Sequence, residues 1–250
     1  MADLIDPWAS FTLDYDKLVN QFGIGKISEI LNDIKNPQRL MQRGVIFGHR
    51  EFNEINNLIN QNKDFAVVTG MMPSGQMHIG HKMVVDQLKW YQDMGAMLSL
   101  PIADLEAYAA RDMSFEKGRE IAVNEYLTNW IALGLDLERD NVNVYLQSQN
   151  QQLQNLAFKA ANKTNFSQLK AIYGFENSTN IAHVQAPLMQ VADILLPQIE
   201  EFGGPKKVVV PVGIDQEPHI RLTRDIAHRL HEETGFIQPA STYHRFLTGL

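Results

Sequence analysis

Four short strand-like runs, each followed by a segment of helical periodicity, constrain this chain more than any other feature. Residues 65–69 (Phe65-Ala66-Val67-Val68-Thr69) form an apolar run that ends at Gly70. Residues 97–104, 142–146 and 207–213 read as the second, third and fourth strands. After the first run, Ile79, Met83, Val84, Leu88 and Tyr91 recur three to four residues apart, which is helical spacing. Ser114 reads as the N-cap of a helix that ends near Gly134 and carries Val123, Leu127, Trp130 and Ile131 on one face. Residues 151–161, 167–172 and 216–233 are also helical in pattern. Pro218 fits the first turn of the last of these, where a missing N–H costs little. Residues 183–199 are apolar for much of their length, and Pro187 limits how regular a helix they can form.

Strands alternating with helices predict an α/β fold with a mostly parallel sheet. Apolar runs that do not alternate predict helices on both faces of it. An N-terminal helical segment precedes this core, with amphipathic spacing in residues 27–34 and 52–59. The expected division is residues 1–62 as N-terminal extension and helices, and residues 63–250 as the core. Ligands in such sheets bind beyond the carboxyl ends of the strands. The segments after Thr69, Asp104 and Gly213 are therefore the ones to inspect.

Composition narrows the class. The 250 residues carry 22 Lys and Arg against 29 Asp and Glu, a formal net charge of −7. Any polyanion must then meet a local basic patch, for which Arg221, Arg224 and Arg229 are candidates. The absence of cysteine excludes a disulfide scaffold, a thiol nucleophile and Cys-ligated zinc. No apolar run approaches the ~18 residues of a membrane span. Met1-Ala2-Asp3 opens without a signal-peptide pattern, so the expected compartment is the cytoplasm.

The first strand leads into Gly70-Met71-Met72-Pro73-Ser74-Gly75-Gln76-Met77-His78-Ile79-Gly80-His81. Gly70 and Gly75 permit close turns, and Gly80 allows a ligand near the helix backbone. A helix N-terminus offers free N–H groups and a positive dipole end, suited to phosphate. His78 and His81 lie three apart and can donate hydrogen bonds to phosphoryl oxygens as charge develops. Taken alone, H-x-x-H also fits two surface histidines. No further His, Asp or Glu is fixed by spacing to complete a metal site.

This segment resembles the HIGH signature of class I aminoacyl-tRNA synthetases, and Pro-Ser-Gly-x-x-His-x-Gly-His resembles the tyrosyl/tryptophanyl subclass. The resemblance implies a Rossmann-like core. It implies that His78 and His81 are catalytic, steadying the triphosphate of ATP. Gly70, Met72, Pro73, Ser74, Gly75 and Gly80 would complete the ATP-binding segment. Gly213-Ile214-Asp215-Gln216, with Thr223-Arg224-Asp225 after it, resembles the G-x-D-Q segment of the subclass. There Gly213 and Asp215 would hold the ATP ribose and Gln216 would face the amino acid. Without the resemblance, Asp215 reads first as an ordinary helix N-cap after a strand.

Two acidic segments complete the set. Glu106, in Ala103-Asp104-Leu105-Glu106-Ala107-Tyr108, falls where archaeal and eukaryotic tryptophanyl enzymes have a substrate-touching glutamate. The same carboxylates also suit a solvated acidic loop. Pro187-Leu188-Met189-Gln190-Val191-Ala192-Asp193-Ile194 resembles the substrate helix of archaeal and eukaryotic tyrosyl enzymes, and bacterial tryptophanyl enzymes have a similar run whose Asp contacts the indole N–H; the resemblance makes Gln190 and Asp193 candidate amino-acid readers. A buried Asp there needs a partner in any case.

The amino acid is the finer question. Val68 stands in the amino-acid site where tyrosyl and eukaryotic tryptophanyl enzymes have tyrosine, and Met71-Met72 stand where Arg-Gly is usual. Asp6-Pro7-Trp8, Asp14-Tyr15-Asp16-Lys17-Leu18, Phe47-Gly48-His49-Arg50-Glu51 and Ile172-Tyr173-Gly174-Phe175 resemble the archaeal/eukaryotic tryptophanyl branch. The resemblance therefore implies ATP with Mg²⁺ on its phosphates, L-tryptophan and tRNA(Trp). It also implies a homodimer formed through an insertion at about residues 150–200 and no membrane partner. In the family, residues 246–250 would be followed by a K-M-S-K-S loop and an anticodon-binding helical domain, neither of which this sequence contains. The alternatives are a tyrosyl enzyme, a nucleotidyltransferase outside tRNA biology and a non-catalytic synthetase paralogue.

Overall fold

The structure, a computed structural model, describes residues 15–111 and 113–246. The N-terminal segment comprises α1 (Tyr15–Phe22), β1 (Gly25–Lys26), α2 (Ile27–Ile30), α3 (Arg39–Gln42), β2 (Ile46–Arg50) and α4 (Phe52–Asn60). The core begins with β3 (Ala66–Val68), α5 (Ile79–Asp93), β4 (Met97–Ile102), α6 (Asp104–Arg111), α7 (Phe115–Ile121), α8 (Thr128–Ala132) and β5 (Val142–Leu146). It continues with α9 (Gln151–Asn162), α10 (Phe166–Tyr173), α11 (Ile181–Leu195), β6 (Val208–Gly213), α12 (Glu217–Thr234) and β7 (Ala240–His244). The seven strands form one sheet in the order β1-β2-β7-β6-β3-β4-β5. All pairings from β7 to β5 are parallel, and β1–β2 and β2–β7 are antiparallel.

Strands β3, β4, β5 and β6 follow the sequence pattern, β7 is a fifth parallel strand that the pattern does not predict, and two apolar clusters cover the sheet. One joins Phe52 and Ile55 of α4 and Leu88 and Tyr91 of α5 to Leu98 and Leu100 of β4. The other joins α9, α11 and α12 through Leu153, Val191, Leu195, Leu222 and Ile226. Each fully buried large apolar side chain contributes about 1.5–3 kcal/mol relative to its exposure.

The structure corrects the pattern in three further places. First, the N-terminal segment supplies strands as well as helices, because β1 and β2 extend the sheet past β7. Second, the helix begun by Ser114, whose Oγ accepts the Lys117 N–H, does not bury Val123 and Ile131, which are 55% and 60% exposed. A π-helical stretch over Ala122–Leu127 slows the helix rotation, so residues four apart stay aligned. The buried face is Gly118, Ala122, Tyr126 and Trp130. Third, Pro187 lies inside α11 without ending it. Asn180 caps this helix, accepting the His183 N–H at 2.8 Å, and residues 186–189 are buried against the neighbouring helices.

Ion pairs anchor the N-terminal segment to the core. Glu51 stands in a left-handed conformation (φ 54°) and accepts from Arg224 and, at 2.7 Å, from Lys207. Burial would raise its carboxyl, but the two cations outweigh burial and hold it at about 2. Arg224 is therefore committed to Glu51 and to the Pro239 carbonyl, and does not belong to a basic surface patch. Asp6-Pro7-Trp8, Asp14 and residues 247–250 lie outside the described residues.

Candidate active site

A cavity of about 760 Å³ opens at the carboxyl ends of the parallel strands, bounded by the start of α5, by α11 and by the turn after β6. It has three regions, one for each polar segment of the sequence.

At the first, β3 gives way to a turn that runs beside β4. The backbone at Gly70 passes so near Pro101 that an added Cβ would stand 2.8 Å from the Pro101 carbonyl oxygen. The turn delivers His78 in extended conformation as the N-cap of α5. The Gly80 N–H donates to His78 Nδ1 at 3.1 Å, and the His78 N–H donates to His81 Nδ1 at 3.2 Å. The rings stack with centroids 3.9 Å apart. A ring nitrogen that accepts a backbone N–H carries no proton, so each neutral imidazole keeps its hydrogen on Nε2. Burial, and then the neighbouring His78, lower the His81 pKa, which favours this neutral state. The pair thus caps the helix and presents two N–H donors beside a positive dipole end. Gly70, Met72, Ser74 and Gly80 line the cavity with the two histidines. Pro73 and Gly75 do not: Pro73 is buried near Gly118, and Gly75 has no neighbour within 4 Å of an added Cβ.

At the second region, α6 and α11 face each other. Gln190 Nε2 donates to both oxygens of Glu106, at 2.9 and 3.0 Å. Burial raises the Glu106 carboxyl, and Gln190 opposes that shift. One turn further along α11, Asp193 is 4% exposed. The Tyr145 hydroxyl donates to its Oδ1 at 2.9 Å and Gln147 Nε2 donates to its Oδ2 at 2.6 Å. Burial pushes Asp193 up to about 7 against these two donors, and Glu106 and Asp104 push the same way. Val68, Pro101, Ala103, Ile194 and Val210 supply apolar walls. This region can hold an ammonium group at Glu106 and a flat apolar body beside Asp193.

At the third, β6 ends at Gly213 and a short turn, Ile214–Gln216, leads into α12. Gln216 Nε2 donates to Asp215 Oδ2 at 2.7 Å, and burial raises the Asp215 carboxyl. A Cβ on Gly213 would stand 2.5 Å from Asp215 Oδ1. Gly213→Ala is thus expected to turn Asp215 away and, on the ATP-site reading that the resemblance implies, to weaken ATP binding by about tenfold while leaving the melting temperature nearly unchanged. Isothermal titration with ATP alongside a thermal melt checks both parts.

The cavity brings together Val68, His78, His81, Glu106, Gln190, Asp193, Gly213, Asp215 and Gln216, which are distant in sequence. Sequence reasoning missed Tyr145, Gln147, His219 and His244. Tyr145 and Gln147 mark the carboxyl end of the third strand, where the sequence carries no motif. Asp104, named with Glu106, has a structural task instead: buried at 1% exposure, it accepts the Ser148 N–H at 3.0 Å and ties the ends of β4 and β5 together. His219 contacts the Tyr173 hydroxyl through Nδ1 at 2.9 Å, and burial lowers it to about 4.

The arrangement is that of a class I synthetase fold, and residues 60–250 match the family of class I tRNA synthetases for W and Y. The chain belongs to that family. It is 57% identical over 249 residues to the tryptophan–tRNA ligase of Methanocaldococcus jannaschii, covering 98% of this chain and 66% of the relative. It is 48% identical over 250 residues to the tryptophan–tRNA ligase of Methanopyrus kandleri, covering 99% of this chain and 65% of that one. Among solved structures, the tryptophanyl-tRNA synthetase of Aeropyrum pernix superimposes with a TM-score of 0.88 at 43% identity, over 94% of this chain and 64% of its own. A tryptophan-bound synthetase from Encephalitozoon cuniculi gives 0.84 at 28% identity, over 95% of this chain and 70% of its own. The chain thus spans about two thirds of the length of these curated relatives.

Proposed function

We propose that the protein activates L-tryptophan with ATP and passes the product to tRNA(Trp). The observation that carries this reading is the single cavity with donor-bearing histidines at one end and the Glu106–Gln190 and Asp193 sites at the other. A carboxylate oxygen of the amino acid attacks the α-phosphorus of ATP, and the bond to the pyrophosphate oxygen breaks. His78 and His81 donate through Nε2 to phosphate oxygens as charge moves onto the leaving group. Asp215 accepts from the ribose hydroxyls, and Gln216 faces the amino acid. The 3′-terminal hydroxyl of the tRNA then attacks the acyl carbon and releases AMP. Catalysis consists mainly of positioning and charge stabilisation.

The polar wall favours tryptophan over tyrosine. Asp193 already receives two donors and, when ionised, offers only acceptor capacity, which suits the donor-only indole N–H. A phenol would leave its own oxygen lone pairs facing Val68 and the other apolar walls. Among the described residues, no group of three or more His, Asp or Glu side chains could hold a metal ion. Mg²⁺ is proposed to arrive on the phosphates of ATP. A homodimer formed through residues 150–200 is proposed on the family resemblance; Phe158 of α9 and Ile181 of α11, each 78% exposed, lie in that stretch. No helix among the described residues is long and apolar enough to cross a membrane. The proposed compartment is the cytoplasm. Amino-acid-dependent exchange of pyrophosphate into ATP is the decisive assay. Exchange with tryptophan and none with tyrosine is expected; tyrosine-dependent exchange alone would overturn the choice of substrate.

A further inference from the structure

The helix that follows Asp215 and Gln216 has Pro218 in its first turn but no side-chain cap from its N-cap residue. Gln216 occupies the N-cap of α12 and its side chain makes no cap hydrogen bond, nor does Gly213 cap the short turn before it. The next residue, Glu217, is held from outside instead. Its side chain is fully buried, and both carboxylate oxygens are taken. Arg50, at the end of β2, donates to Oε1 at 2.6 Å, and the Tyr243 hydroxyl of β7 donates to Oε2 at 2.9 Å. The same Arg50 nitrogen reaches the Phe22 carbonyl at the end of α1, at 2.9 Å. Tyr243 pairs in register with Gly48 of β2 on one side and Val212 of β6 on the other. A carboxylate in the first turn of a helix also benefits from the helix dipole. Glu217 is therefore a fixed point between the N-terminal segment and the turn that lines the cavity.

We propose that Arg50 and Tyr243 are positioning residues that act through Glu217 to hold Asp215 and Gln216 in their binding geometry. The N-terminal segment then contributes to substrate affinity without touching substrate. This rests on the reading of the cavity as an ATP and amino-acid site. Because one turn bears both binding residues, loss of the clamp raises KM for ATP and KM for tryptophan together. Damage confined to Glu106 or Asp193 raises only the second.

The test is pyrophosphate exchange by the intact protein carrying Arg50→Met, Arg50→Lys or Tyr243→Phe, with thermal melts in parallel. Arg50→Met is expected to raise both KM values, lowering kcat/KM by about ten- to a hundredfold. Arg50→Lys keeps the charge but loses the planar fork, and recovers part of the loss. Tyr243→Phe removes one donor and gives a smaller rise of the same kind. It also reads the clamp should Arg50→Met fail to fold. A lower melting temperature with unchanged KM values in folded variants would show a merely structural role and overturn the proposal. If the wild type exchanges with neither tryptophan nor tyrosine, the functional reading fails. Titration calorimetry with ATP then decides the clamp separately: weaker binding in Arg50→Met supports it, and equal binding overturns it.

Discussion

Replacing His81 with alanine is expected to slow adenylate formation by about a hundred- to a thousandfold at saturating ATP. That is the usual cost of removing one preorganised donor from a developing negative charge. The geometry explains why the loss falls on the rate. His81 Nδ1 is occupied by the His78 N–H, so only Nε2 is free to donate, and it does so most usefully when charge builds on the phosphates. Alanine also removes the reciprocal cap at the start of α5, a separate stability cost of about 1 kcal/mol. His81→Asn separates the two effects. Its amide oxygen can still accept the His78 N–H, so the melting temperature should recover while the rate does not. Single-turnover formation of the adenylate is the measurement, and a His81→Asn rate near that of the wild type would sink the assignment.

The second large effect concerns Asp193 and pH. Its carboxyl is pushed by burial from an ordinary 3.8 up to about 7. The ionised carboxylate is the stronger acceptor for an indole N–H, so kcat/KM for tryptophan should rise with pH through about 7 and then level off, reporting the free enzyme. Asp193→Asn should remove that inflection. It should also lower kcat/KM by about ten- to a hundredfold, the worth of a charged hydrogen bond. Stability runs the other way. A carboxyl raised on folding gives stability that is fully present below its unfolded pKa and is lost as pH rises through the folded one. Between pH 3.8 and about 7, wild type should therefore lose ground steadily to Asp193→Asn, by about a few kcal/mol in all. Denaturant melts of both proteins across that window check the sign, and a constant difference would contradict it.

The site was legible in the sequence where its chemistry is local. His78, Gly80 and His81 lie within one helical turn, and Gly213, Asp215 and Gln216 within one strand end, so spacing alone brings them together. Tyr145 and Gln147 were not legible. Their partner Asp193 lies on α11, far along the chain; Tyr145 sits in a strand that is half-buried at every position, and Gln147 in the short turn after it. The same limit hid β7. Ala240-Ser241-Thr242-Tyr243-His244 is buried throughout, yet Ser241 and Thr242 are polar and give no apolar run. Its burial comes from strands on both sides. β2 was hidden likewise, by Gly48, His49 and Arg50, whose roles depend on Ser241, Thr242 and Tyr243 far along the chain. In the helix after Ser114, the 3.6-residue period places Trp130 and Leu127 correctly against the core but also assigns Val123 and Ile131 to it, which are exposed because the π-helical turn is invisible to periodicity.

The sheet order has a consequence for how the chain is made. β2, formed early in synthesis, takes its main partner from β7, and β7 is an interior strand. Arg50 is in register with Ser241, so the N-terminal ribbon cannot complete its pairing until nearly all of residues 15–246 have left the ribosome. The parallel strands β3, β4, β5 and β6 can assemble before that. Until β7 arrives, β2 and β6 each expose an open edge, the kind of surface on which nascent chains misassociate. Closing so distant a contact is also slow. Among the described strands β7 is the last to emerge, and it joins the N-terminal ribbon to the parallel strands, so a delay in its arrival prolongs the exposure of both edges.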